Sequence, residues 1–208
     1  MRVETKHHPK TSRDNSQTRY LVAGREGSLA LGNLLNTLFR SKKLAVEEII
    51  SFDHSRSLTL YEIQILGSGL HERGTEVDLM ICLNDAALDY EPMVRRSGTL
   101  IVDANSVTRR PKRIDIDIVA VPSFNLVQDI SERLSEETRT RLNLSLSSLL
   151  GSIEAIESDY PDSETLKRLF EKLQVEQSGL FLMAVYRGYD WLQETRMRGK
   201  TAWGGVLN

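Results

Sequence analysis

The sequence predicts an α/β fold: a single domain with a largely parallel sheet flanked by helices, its C-terminal half mainly helical. Three observations predict it. Between Tyr20 and Val121, short apolar segments are interleaved with segments of helical period. Val77–Leu83 and Thr99–Val102 are nearly continuous apolar runs, as expected of strands buried on both faces. Beyond Pro122, apolar residues recur at helical spacing only.

Residues 1–18 mix Arg2, Lys6, Lys10 and Arg13 with Glu4 and Asp14 and lack apolar periodicity, so a flexible N-terminal tail is expected there. The domain is expected over 19–195 and a short C-terminal tail over 196–208. Tyr20–Ala23 reads as the first strand and Gly24-Arg25-Glu26-Gly27-Ser28 as a turn. Leu31, Leu34, Leu35, Leu38 and Phe39 then mark a helix, with Ser28 as its cap and Ser41-Lys42-Lys43 at its end. Val46–Ile50 is the next strand, completing a strand–helix–strand unit with an expected right-handed crossover. Tyr61, Ile63 and Ile65 alternate with Glu62 and Gln64, predicting a strand with one wet face before the turn Gly67-Ser68-Gly69.

Ala86–Val94 reads as a helix interrupted by Pro92, ended by Gly98. Arg109–Arg113 is a basic loop. Ile114, Ile116 and Ile118 alternate with Asp115 and Asp117, predicting a half-buried strand that Pro122 stops. Leu126, Val127, Ile130 and Leu134 share one helical face, and Leu146, Leu149, Leu150, Ile153 and Ile156 another. Asp162 or Ser163 caps a helix carrying Leu166, Leu169, Phe170 and Leu173, and a last helix runs from Leu180 to Trp191.

Composition narrows the function. The 208 residues exceed the ~150 typical of one domain without requiring two. Lys and Arg number 27 against 29 Asp and Glu, a net charge of −2, which argues against a nucleic-acid binder. The single cysteine excludes a disulfide framework, a Cys-rich zinc site or an all-cysteine iron–sulfur cluster within the chain. No apolar run approaches the ~20 residues of a membrane span, and the first twenty residues show no signal-peptide pattern. A reduced, cytoplasmic protein with no membrane contact is expected.

The turn Gly24–Ser28 is the natural candidate site, because free amides and a helix dipole favour an anion at a strand–helix junction. The dinucleotide pattern GxGxxG fails there, since Glu26 occupies the second glycine position and its carboxylate would repel a pyrophosphate. Gly27 to Gly32 has the spacing of a phosphate-binding loop, but Asn33 and Leu34 follow instead of Lys and Ser or Thr. Asp115 and Asp117 could share a strand face and hold a metal, although a solvated face explains them as well. Cys82 lies in an apolar run and reads as a buried, inert thiol. His54 beside Asp53 could form an acid–base pair. Arg56 and Arg109–Arg113 could hold an anionic group or a protein surface. Trp203, with Gly204 and Gly205, could pack on the domain or on a partner.

The order of these elements resembles the gamma subunits of 2-oxoacid:ferredoxin oxidoreductases, including those acting on pyruvate, ketoisovalerate and indolepyruvate. The likeness runs over residues 20–192. It rests on the stretch Tyr20-Leu-Val-Ala-Gly24-Arg-Glu-Gly27-Ser-Leu-Ala, then on Val77–Asn84, Arg96–Ala104, Val121-Pro-Ser, Leu149-Leu-Gly151-Ser and Tyr186-Arg-Gly188-Tyr189. Glu26, Ser28 and Leu29 replace the Gly, Gln and Gly of the family's turn, and Arg56-Ser57-Leu58 stands where the family has Arg-Gly-Gly. The chain therefore reads as a diverged member.

The resemblance implies a Rossmann-like domain and an accessory subunit that is not catalytic by itself. Thiamine diphosphate, coenzyme A and iron–sulfur clusters are expected in partner subunits, with ferredoxin met only indirectly. Gly24, Arg25, Glu26, Gly27, Ser28 and Arg56 are the expected cofactor-binding residues; no catalytic or metal-ligating residue is assigned. The alternative is a stand-alone α/β protein that binds a small anionic ligand or a regulatory partner at the glycine turn.

Overall fold

The computed structural model describes residues 18–67, 75–132, 138–158, 162–172 and 178–197, with side chains of the third segment from Leu144 onward. Residues 1–17 of the expected N-terminal tail, Ser68 and Gly69 of the expected turn, Leu134, Leu173, and Trp203 with its two glycines lie outside the described residues.

Among the described residues, six strands form one sheet: β1 (Thr18–Gly24), β2 (Val46–Asp53), β3 (Leu58–Ile65), β4 (Val77–Cys82), β5 (Val94–Asp103) and β6 (Asp117–Val121), in the order β2-β3-β1-β4-β5-β6. β1, β4, β5 and β6 are mutually parallel, while β3 runs antiparallel to both β1 and β2. Five of the six strands therefore point one way. The helices are α1 (Ser28–Ser41), α2 (Ser123–Ser131), α3 (Thr138–Glu157), α4 (Ser163–Lys172) and α5 (Ser178–Met197). The expected β1–α1–β2 unit is present but split. The tight β2–β3 hairpin folds β3 back between β1 and β2, so the two parallel strands are not neighbours.

Alternation along the strands assigns the two faces. Tyr20, Val22, Tyr61, Ile63, Leu79, Ile81 and Ile101 face a core built from all five α-helices. Leu21, Ala23, Met80, Cys82, Leu100 and Val102 face the other core, which is closed by the 3-10 segment Asp85–Met93 and by Val107 and Ile116 of the loop after β5. The helices thus flank the sheet on one face. In β3, Glu62 is half-buried and Gln64 is buried, so the expected wet face is only partly exposed.

Four local expectations are corrected. Gly27, not Ser28, occupies the cap position of α1, in a left-handed conformation with φ 78°. Ser28 is already helical and its hydroxyl donates back to the Gly24 carbonyl at 3.1 Å. Residues 85–93 form a 3-10 rather than an α-helix. Asn84 caps them by accepting from the Ala87 amide at 3.1 Å, and Pro92 removes a donor. Gly98 does not end that segment but lies inside β5, beside the register shift at Val77/Leu79, where a Cβ would come within 2.9 Å of the Arg95 and Asp78 carbonyl oxygens. The last strand begins only at Asp117, and Ile114 is 98% exposed.

The helical layer is organised around α3, which is buried on every side from Leu144 to Ala155, serines included. α5 crosses it closely: Ser152 Oγ donates to the Gly188 carbonyl at 3.1 Å, and Ser148 Oγ donates to the carbonyls of Ser145 and, across to α2, Ser123. Among the described residues, no helix is long and apolar enough to cross a membrane.

Candidate functional site

β1 and β4 are neighbours whose chains leave the sheet toward opposite faces, β1 into α1 and β4 into the 3-10 segment. Such a switch opens a crevice at the carboxyl ends of the strands. A cleft of about 250 Å³ lies there. Its apolar wall is Leu83, Leu146 and Leu149; its polar groups are Arg25 and Glu26 from the β1–α1 turn, Asn84 after β4, Asp103 at the end of β5 and Ser106 beyond it, and Ser123 and Ser145.

The glycines set the shape of this turn and the polar side chains face outward from it. A Cβ on Gly24 would meet the Leu83 Cβ at 2.8 Å, so β1 and the end of β4 approach too closely for a side chain. A Cβ on Gly27 would meet Leu146 Cδ2 at 3.1 Å, which seats α3 directly on the turn. The Leu31 amide donates to the Gly27 carbonyl at 2.8 Å and starts α1. Arg25 and Glu26 are exposed and reach the cleft, whereas Ser28 is buried and occupied by Gly24. Gly27→Val is expected to lower stability by about 2 kcal/mol, because a β-branched residue is strained at positive φ. Equilibrium urea unfolding checks this; an unchanged midpoint would contradict the tight turn.

Asp103 is the most buried ionisable group of the cleft, 8% exposed. Its carboxylate accepts from Ser123 Oγ and Ser106 Oγ, both at 2.7 Å, and from the Asn105 amide at 3.2 Å. These bonds tie the end of β5 to the start of α2, reinforced by the Phe124 amide donating to Asn105 Oδ1 at 2.8 Å. Sequence reasoning assigned Asp103 no role. The available signal was an aspartate directly after the buried run Leu100–Val102, at the carboxyl end of a strand. The cleft therefore presents one guanidinium, two carboxylates and several hydroxyls above an apolar wall. Arg25 suits a carboxylate or phosphate, while Glu26 and Asp103 oppose a highly charged anion.

Arg56 is not among the residues lining the cleft. It sits in the β2–β3 hairpin, where Nε donates to Asp89 and Nη1 to Asp53, both at 2.9 Å, and its guanidinium lies 5.8 Å from the Tyr90 ring centroid. Hydrogen bonds from Ser55, Tyr90 and Arg56 hold the Asp53 carboxyl well below the usual carboxylate range. His54 packs edge-on against Phe52, ring centroids 4.8 Å apart, while Asp53 serves these other donors, so the sequence-suggested acid–base pair does not form.

Two of the four cations of the basic loop, Arg109 and Arg113, are engaged locally. Arg109 pairs with Asp89 at 3.1 Å, the Lys112 and Arg113 amides donate to Glu91, and Arg113 pairs with Asp115 at 2.7 Å. Asp115 precedes β6 and is held by Arg113, so it does not share a strand face with Asp117. Among the described residues, no group of three or more His, Cys, Asp and Glu is placed to hold a metal. Cys82 is buried in β4, and burial pushes its thiol pKa far up.

No protein-family model matches the sequence, and no curated protein matches it. Solved structures do match the fold. A 2-oxoglutarate:ferredoxin oxidoreductase from Magnetococcus marinus, solved with 2-oxoglutarate, coenzyme A and succinyl-CoA bound, aligns with a TM-score of 0.64 at 14% identity, over 86% of this chain and 31% of that one. This chain thus spans about a third of that protein. The gamma subunit of a keto/oxoacid ferredoxin oxidoreductase from Geobacter sulfurreducens aligns with a TM-score of 0.64 at 17% identity, over 86% of this chain and 98% of that one. A pyruvate oxidoreductase subunit from Thermotoga maritima aligns with a TM-score of 0.61 at 14% identity, over 84% and 96%. The chain has the fold of these subunits.

Proposed function

We propose that this chain is a diverged gamma-type accessory subunit of a 2-oxoacid:ferredoxin oxidoreductase, supporting a thiamine-diphosphate-dependent oxidative decarboxylation carried out with partner subunits. One observation carries the reading: the shared fold extends over 98% of a separate gamma subunit and 86% of this chain, so the match is to a whole subunit and not to a common substructure. The division of labour fits the residues. With one cysteine, buried in β4, the chain has no ligand set for an iron–sulfur cluster, and that chemistry falls to partners.

In this reading the chain contributes a rigid edge. The turn Gly24–Ser28, fixed between Leu83 and Leu146, presents Arg25 and Glu26 at the mouth of the cleft, where a partner surface or the polar end of a small molecule would meet them. The cleft itself favours a second reading, a small ligand bound by this chain alone. Its two carboxylates then select against a pyrophosphate and toward a compact ligand bearing at most one negative charge.

The test is affinity purification of the tagged full chain from its source, with companions identified by mass spectrometry. Each fraction is then assayed for coenzyme A-dependent reduction of a dye by a panel of 2-oxoacids. Co-purification of a thiamine-binding protein, with activity in the complex and none in the chain alone, is the expected result. Turnover by the isolated chain, or the absence of any such companion, overturns it.

A further inference from the structure

We propose that β2 is a docking edge for a second copy of this chain, joined by antiparallel β2–β2 pairing about a two-fold axis. This is independent of the subunit reading above. The sheet has two edges, β2 and β6. β6 is short, five residues, and opens on Asp117. β2 spans eight residues in unbroken register with β3, and its sequence Val-Glu-Glu-Ile-Ile-Ser-Phe-Asp contains no proline, glycine or lysine. Proline, lysine and a bulge are thus absent from this edge, which is marked only by the carboxylates of Glu47, Glu48 and Asp53 and by Arg40 donating to the Val46 carbonyl at 3.2 Å. Among the described residues, no strand pairs with its outer side.

The side chains of this edge are apolar where solvent is expected. Ile50 and Phe52, on the helix-bearing face, are 53% and 51% exposed, and Ile49, on the opposite face, is 51% exposed. Glu48 is the only carboxylate on the helix-bearing face of the strand; it is exposed and accepts from the Tyr61 hydroxyl and the Asn36 amide.

Of the two registers that pair seven residues of the strand, one opposes no like charges. Residues directly opposite across an antiparallel pair share a face, so a two-fold pairing must be centred on a residue. Centred on Ile49, it sets Ile49 against Ile49, Val46 against Phe52, Glu48 against Ile50 and Glu47 against Ser51, with no like charges opposed. Centred on Ile50, it would set Glu47 against Asp53 twice. The charge pattern therefore favours the first register and an isologous interface.

Sedimentation of the full chain is expected to give twice its 23.6 kDa mass. Ile49→Lys is expected to halve that mass while the single chain still unfolds cooperatively, since the position is exposed in the monomer. Ile49→Cys is expected to crosslink under mild oxidation, its paired Cβ atoms lying about 5 Å apart, while Ile50→Cys is not. Buried Cys82 contributes no background. A single-chain mass at every concentration overturns the proposal, as does a dimer that survives Ile49→Lys. Crosslinking of Ile50→Cys as readily as Ile49→Cys also overturns it. So does a β2 edge that binds only a different subunit.

Discussion

Gly188→Ala is expected to destabilise the domain by about 3 kcal/mol, although alanine is the better helix former by about 1 kcal/mol. The cause is the α3–α5 crossing. A Cβ on Gly188 would stand 2.6 Å from the Ser148 carbonyl carbon and closer still to its oxygen. The crossing is reciprocal: a Cβ on Gly151 would stand 2.7 Å from the Val185 carbonyl carbon. The obstacles are backbone atoms in helices, which cannot rotate away as a side-chain tip can. The helices must part, breaking the Ser152 to Gly188 hydrogen bond and opening the packing around Ala184 and Val185. Gly151→Ala should cost about as much, and the double variant less than the sum, because the first substitution already separates the helices. Urea midpoints of the three variants measure this; full additivity would show that the two glycines do not share one crossing.

Lys42→Met is expected to cost about 3 kcal/mol by leaving a buried carboxylate unpaired. Lys42 follows the last turn of α1, and its ammonium donates to both carboxylate oxygens of Glu154 at 2.7 and 2.8 Å. The Glu154 side chain is 1% exposed, that of Lys42 26%. The pair clamps the end of α1 onto α3, yet desolvation offsets most of its attraction. Removing one partner should therefore hurt far more than removing both. The double variant Lys42→Met/Glu154→Leu is expected to recover most of the lost stability in the same unfolding series. A double variant as unstable as Lys42→Met would show that the carboxylate, and not its isolation, stabilises the fold.

Much of the fold was legible because its signals are local. The run Val77–Leu83 announced a central strand, the spacing from Leu31 to Phe39 announced α1, and of the two caps named for α4, Asp162 or Ser163, it is Asp162 that accepts from the Thr165 amide, at 3.1 Å. The candidate site was half legible. The turn Gly24–Ser28 does border the cleft, because a strand–helix junction beside a topological switch needs no long-range information to be recognised. Asp103 and Ser123 were missed because their meeting depends on β5 and β6 lying side by side, twenty residues apart in sequence. Arg56 was grouped with the turn by analogy, and the hairpin directs it to Asp53 and Asp89 instead.

What the sequence determined alone is therefore most of the elements, their order and, where a period of two or of about 3.6 residues is present, their apolar faces. It also determined what this chain cannot do with one cysteine. The tertiary structure decided which elements touch. It inserted β3 between β1 and β2, and placed all five helices on one face. It buried a serine-lined helix at the centre and turned Lys42 from a helix end into the partner of Glu154. Periodicity records which side of an element is dry. It carries no record of which dry sides meet, and that pairing settles where the close glycine crossing, the cleft and the open β2 edge fall.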